Sequence, residues 1–169
     1  MTGMTVSSLR TGLAGVAAVM EQAVDDLNAC DARLGDGDIG VTMRRGMRGI
    51  MEIADDLPED VGKALMKCAQ AFTSVSGSSY GTLLATGLMS AAKACKGRTE
   101  IPWADMAGLV RGALEAMMAR GKGQLGDKTV LDVLDAIATA LEGKSDPAAM
   151  LAAADMAVDA TMDAFRPLP

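Results

Sequence analysis

The chain has 169 residues, 50% of them apolar, which suffices for one domain with a single core and requires no disulfide framework. A net charge of −6, from 16 Lys and Arg against 22 Asp and Glu, repels nucleic acid and anionic membranes, and Phe72, Tyr80, Trp103 and Phe165 are too few to stack single-stranded bases. Histidine is absent, so Ser-His and Cys-His nucleophile pairs, the usual zinc sites and phosphohistidine are excluded, and chemistry is left to carboxylates, hydroxyls, backbone amides or a metal.

Apolar positions recur at helical spacing throughout, and Ala and Met outnumber β-branched residues, so the pattern predicts helices and no strand. The first helix runs from about Ser7 or Ser8 to Ala29, with Leu9, Leu13, Val16, Met20, Val24 and Leu27 on one stripe. A glycine-punctuated acidic loop ends it. The second helix covers about Val41 to Ala54 and carries Arg44, Arg45 and Arg48 on its flanks. Pro58 stands at the start of a third, which reaches about Phe72. Ser74 to Gly81 is a polar turn, and the fourth helix, from about Gly81 to Cys95, is dense in small residues that permit close contact.

Thr99 and Pro102 open a fifth helix that ends near Arg120, because the stretch from Gly121 to Lys128 is too rich in glycine and charge to continue it. The sixth spans about Thr129 to Leu141. Asp146 and Pro147 form an N-cap and first-turn pair for a seventh helix, which ends before Pro167. The expected fold is all-α, an up-and-down antiparallel bundle or barrel of about seven helices forming one domain over residues 1–169. In that order the loops Cys30 to Gly40, Ser74 to Gly81 and Gly121 to Lys128 share one end with the C-terminus.

Cys30, Cys68 and Cys95 are odd in number and widely spaced, so they are expected to be small buried packing residues in a reducing cytoplasm. The apolar stretch from Leu13 to Met20 lacks a signal-peptide cleavage motif, and no run approaches the roughly eighteen apolar residues of a membrane span.

The segment LGDGDIG, with Asp31 just before it, gathers Asp31, Asp36 and Asp38 in a loop whose glycines do not serve helix stability. Convergent carboxylates repel unless a cation lies between them, and hard oxygen donors with phosphate nearby suit Mg²⁺. Taken alone, such a loop is more often a set of turn aspartates and a helix cap facing water, and the signal is weak. An EF-hand is excluded, since the twelfth position counted from Asp36 is Met47 and not a bidentate glutamate. A glycosidase carboxylate pair lacks an aromatic sugar platform.

The stretch DARLGDGDIGVTMRRG, from Asp31 to Gly46, resembles the signature of the dihydroxyacetone kinase L subunit and of the equivalent nucleotide-binding domain of ATP-dependent relatives. TSVSGSSYGTLLATGLMSAA resembles that family's Gly-Ser phosphate loop and following helix, and RGKGQLGDKTVLDVLDAI its third motif. The resemblance implies a barrel of antiparallel helices holding ADP or ATP at one end through two Mg²⁺ ions on Asp31, Asp36 and Asp38. Ser76, Gly77, Ser78, Ser79, Gly81 and Thr82 would receive phosphate at a helix start. Gly126, Asp127, Lys128 and Thr129 would form a lid edge, with Met43, Leu83, Leu84, Leu125 and Val130 as apolar neighbours of the adenine.

No side chain is assigned a catalytic role. The resemblance implies a phosphotransferase, the Mg-nucleotide subunit of a kinase for dihydroxyacetone or a similar short-chain ketose. Its partner would be a substrate-binding subunit carrying a histidine, and a phosphotransferase-system protein is a further candidate donor of phosphate. A truncated, non-catalytic nucleotide- and metal-binding regulatory relative is the alternative. Tyr80 reads as a one-residue insertion in the family loop, and Ile39 and Thr42 depart from its usual choices. The family continues beyond Arg166–Pro169 into a glycine- and arginine-containing loop and an eighth helix, so an open seam and a homo-oligomer through it are expected.

Overall fold

The computed structural model describes residues 3–75 and 77–166. In chain order it comprises β1 (Gly3–Thr5), α1 (Val6–Gln22), α2 (Val24–Asp31), α3 (Ile39–Glu52), α4 (Val61–Val75), α5 (Ser79–Ala94), β2 (Glu100–Pro102), α6 (Met106–Gly121), α7 (Val130–Leu141) and α8 (Pro147–Phe165). From α3 onward, each helix packs chiefly on the ones before and after it in the chain, as short connections require of antiparallel neighbours, and α3 also receives both α1 and α2. The all-α up-and-down expectation therefore stands.

Several local expectations are corrected. The first helix is two segments that meet at Ala23, whose φ of −87° and ψ of 1° break the helical ladder. Its stripe is incomplete, because Val16 is 47% exposed. The third helix begins at Val61 and not at Pro58; Asp60 supplies the cap, its carboxylate accepting from the N–H groups of Lys63 at 2.9 Å and Gly97 at 3.0 Å. Those bonds and the Lys63 charge hold the Asp60 carboxyl below its ordinary value. Pro102 lies in a strand, and α6 starts later, at Met106, after a 3₁₀ turn over Trp103–Asp105. The strands β1 and β2 pair antiparallel, Met4 opposite Ile101. Three-residue strands joined across most of the chain leave no period-two pattern to read.

This ribbon pins the end of the array opposite the acidic loop. Around it lies the main core: Val6, Ile50, Val61, Leu65, Cys68, Phe72, Cys95 and Ile101 are all buried. Burying Phe72 alone stabilises the fold by about 1.5–3 kcal/mol. Its ring sits on Gly46 of α3, where a Cβ would overlap three ring carbons. The bidentate pair of Arg48 with Glu21, at 2.5 and 2.8 Å, ties α3 to α1 and holds the Glu21 carboxyl below its ordinary value. Cys30 is exposed, contrary to expectation, because α2 is short and turns that side to solvent.

The second cluster, Leu114, Met117 and Leu131, is small. On α8 only Met150 is buried, while Leu151, Met156 and Met162 are 65%, 73% and 56% exposed. α8 packs on α7 and makes no extensive contact with α1 among the described residues. No helix among them is long and apolar enough to cross a membrane.

Gly46→Ala is expected to lower unfolding stability by about 1–3 kcal/mol, the usual cost of overpacking a filled core. Urea denaturation measures it, and an unchanged midpoint would contradict the close approach of α3 to Phe72.

Candidate functional site

Backbone donors build the acidic loop. Asp31 ends α2, and its Oδ2 accepts from the N–H groups of Gly37 and Asp38, both at 3.0 Å. Three residues earlier on the same helix, Asn28 Oδ1 accepts from Gly40 at 2.8 Å and Val41 at 3.4 Å. Asn28 thus satisfies the start of α3, whose own N-cap residue, Asp38, makes no side-chain capping bond. One turn of α2 folds the loop back on itself. Gly37 turns with a φ of 76°, and Gly40 is pressed so closely on the Val24 carbonyl that a Cβ would overlap it.

As a result, one carboxylate oxygen from each of Asp31, Asp36 and Asp38 lies within 4.8 Å of the other two. Asp31 is half-buried, and Asp36 and Asp38 are exposed. Partial loss of hydration raises the Asp38 carboxyl above its ordinary value, with further contributions from the Asp36 charge, a hydrogen bond to Asp36 and the Asp31 charge, against which Arg45 acts. An all-oxygen set that resists its own negative charge fits a hard divalent cation such as Mg²⁺.

Across from the acids, α5 begins. Ser78 is its N-cap, with Oγ accepting from Gly81 N–H at 3.0 Å, and the first main-chain bond runs from Thr82 N–H to the Ser78 carbonyl. The N–H groups of Ser79 and Tyr80 precede that bond and point out of the helix start, where the dipole favours an anion. Asp31, Asp36, Asp38, Ile39, Thr42, Arg45, Val75, Gly77, Ser78, Ser79 and Tyr80 line one cleft of about 580 Å³. The first two motifs therefore meet.

Other expected residues do not join them. Gly81 is buried with its N–H committed to Ser78, the Thr82 hydroxyl donates to the Ser78 carbonyl at 3.0 Å, and neither lines the cleft. Ser76 lies outside the described residues. The third motif stands apart as well: Lys128 and Thr129 line a separate groove of about 430 Å³ with Thr161, Met162, Phe165 and Arg166. Within the motif, Asp127 accepts from Gln124 N–H at 2.8 Å, Gly126 has a φ of 95°, and Thr129 caps α7 by accepting from Leu131 N–H at 3.2 Å. These are turn and capping roles.

Asp132, not among the residues expected at the site, is buried and accepts from Gly126 N–H at 2.5 Å and Thr129 N–H at 2.8 Å. Its signal was the Thr-x-x-Asp spacing of a capping box. Asn28 was also missed, and its only trace was an asparagine placed inside a helix. Of the proposed adenine neighbours, Leu84 and Val130 line an apolar cavity of about 290 Å³ that also reaches Tyr80. Met43 and Leu83 pack against the two cores, and Leu125 is exposed.

A mostly helical array thus sets a carboxylate triad against a glycine-serine helix start in one cleft. Residues 33–168 match the DAK2 domain, and the chain belongs to that family. The ADP-binding subunit DhaL of the PEP-dependent dihydroxyacetone kinase of Escherichia coli is 30% identical over 79% of this chain and 67% of its own length. A Listeria innocua ADP-binding subunit DhaL is 29% identical over 71% of this chain, which spans 57% of that protein. Human triokinase/FMN cyclase is 36% identical over 75% of this chain and 22% of its own length. In three dimensions the chain resembles the dihydroxyacetone kinase of C. freundii solved with AMP-PNP and Mg²⁺, with a TM-score of 0.76 and 25% identity, over 94% of this chain and 29% of that one.

The three acids are expected to differ on substitution. Asp31→Ala removes the acceptor that holds Gly37 and Asp38 and should lower stability without added metal by about 1 kcal/mol, as loss of a capping side chain does. Asp38→Asn should instead raise the melting temperature at neutral pH. A carboxyl raised in the folded state opposes folding once ionised, so the gain should shrink as pH falls and the native Asp38 protonates. Thermal scans across pH in chelator check both, and a large loss with Asp38→Asn would assign that residue a purely structural role.

Proposed function

We propose that this chain is the Mg-nucleotide-binding component of a phosphotransferase acting on dihydroxyacetone or a similar short-chain ketose. The observation that carries the proposal is the single cleft in which the Asp31, Asp36 and Asp38 carboxylates face the start of α5. The names of the relatives, an ADP-binding kinase subunit and a triokinase, support the same reading.

The three acids would hold two Mg²⁺ ions, and these would bridge and neutralise the phosphates of ADP or ATP. Asp31 has Oδ2 committed to the loop and would offer its other oxygen. The N–H groups of Ser79 and Tyr80 and the hydroxyls of Ser78 and Ser79 supply donors on the opposite wall. Phosphoryl transfer asks for alignment and charge stabilisation more than covalent chemistry, which matches a chain with no histidine and with Cys68 pushed up to about 11 by burial. The ketose would sit on a partner subunit carrying a histidine. The phosphoryl donor is either exchanging ATP or a phosphotransferase-system protein that recharges bound ADP. The three free thiols agree with a cytoplasmic setting. Gly126, Asp127, Lys128 and Thr129 would approach the nucleotide only as an edge beyond the cleft.

Calorimetry should show ADP binding that requires Mg²⁺ and disappears with chelator, and at 100 times Kd the ligand should stabilise the fold by about 2.7 kcal/mol. Absence of Mg²⁺-dependent binding would overturn the reading. Transfer to dihydroxyacetone in the presence of the substrate-binding partner supports the kinase assignment, whereas binding without transfer identifies a regulatory relative.

The apolar side chains exposed on α1 (Val16, Val19) and α8 (Leu151, Met156, Met162) support self-association of the chain through those helices. Sedimentation velocity should show a concentration-dependent dimer that Met156→Glu weakens. A single monomeric species at high concentration would exclude it.

A further inference from the structure

The cleft carries one cation, Arg45, beside the acids and the helix start. Arg45 lies seven residues beyond Asp38 on α3, with Thr42 between them, and these offsets place all three on one helix face. All three line the cleft. Side chains on a helix lean toward its N-terminus, so a long arginine two turns below Asp38 extends back toward the acidic loop. The other arginines of α3 are engaged elsewhere: Arg48 is locked to Glu21, and Arg44 acts on Glu21 with its Nε buried and unbonded. Arg45 is exposed and makes no hydrogen bond or close ion pair among the described residues. It is also the one cationic side chain among the described residues lining the cleft.

An arginine beside three carboxylates would ordinarily close an ion pair with one of them. Here it stays open toward the same space. The carboxylates would offset the charge of any cations they hold, and those cations that of the inner phosphates of a nucleotide. The terminal group of a triphosphate brings further negative charge that the acidic loop does not match. A planar guanidinium suits phosphate oxygens through two parallel N–H bonds.

We propose that Arg45 is a phosphate-contacting residue that recognises the terminal phosphate of a bound nucleoside triphosphate and so separates triphosphate from diphosphate. The proposal rests on the Mg-nucleotide reading of the cleft and adds to it the residue that reads phosphate number.

The test measures Mg²⁺-dependent binding of ADP and of the non-hydrolysable triphosphate AMP-PNP by calorimetry, for the unaltered chain, Arg45→Ala and Arg45→Lys, with melting temperatures as the control for folding. Arg45→Ala should leave ADP affinity within about twofold and weaken AMP-PNP roughly 10- to 100-fold, the usual loss with a charge-assisted contact. Arg45→Lys should restore part of the triphosphate affinity, because the charge remains while the paired geometry is lost. Equal weakening of both nucleotides, or weakening of neither, would overturn the assignment while leaving the Mg-nucleotide reading intact. If the unaltered chain binds neither nucleotide with Mg²⁺, that reading fails, and the role of Arg45 fails with it.

Discussion

Three carboxylates do not gather within 4.8 Å of one another unless something else holds the chain in place. In this protein the restraint is a pair of acceptors one turn apart on α2. Asn28 takes the first N–H groups of α3, and Asp31 takes those of the loop just before it. Each bond is modest by itself. Together they convert the end of one helix and the start of the next into a fixed bend that holds Asp31, Asp36 and Asp38 together against their mutual repulsion. Asp31 belongs to both arrangements, its Oδ2 tied to the backbone of the loop and its carboxylate one of the three that gather there.

The bend is dependable because of where the core lies. Buried volume is concentrated among α1, α3, α4 and α5, with the β1–β2 ribbon at the far end and Phe72 pressed on Gly46. Both walls of the cleft begin on those helices, since the acidic loop leads into α3 and the glycine-serine turn leads from α4 into α5. Precision in a phosphate site requires such backing. The other side of the array is thinly packed: α8 buries only Met150, and the second core comprises Leu114, Met117 and Leu131. The third motif is carried there, which explains how it can belong to the same end of the array without lining the same cleft.

The helices from α3 to α8 were legible in the sequence because their apolar spacing and their caps, notably Asp146 with Pro147 and Thr129 before α7, act locally. The break at Ala23 was not, since no glycine or proline marks it and the stripe of apolar residues continues across it. The ribbon escaped notice for the same reason that long-range pairs generally do: Met4 and Ile101 meet only after the five helices between them have been arranged. In the site, the acids and the serines were visible as residue types. The commitments that select among them were not. Gly81 and Thr82 look like phosphate donors in the sequence, yet Ser78 has already taken the N–H of one and the hydroxyl of the other.

That selection bears on how little chemistry this chain needs to perform. Its buried thiols are driven away from the thiolate by desolvation, and it has no imidazole to shuttle protons. What remains is a pattern of fixed charge: acids on one wall, backbone donors on the other, and an arginine along the face between. Such a pattern distinguishes ligands by charge and shape and leaves bond-making to the species it aligns. On the proposed reading, a chain of this kind would present a phosphoryl group in a defined orientation while the acceptor is activated on another polypeptide.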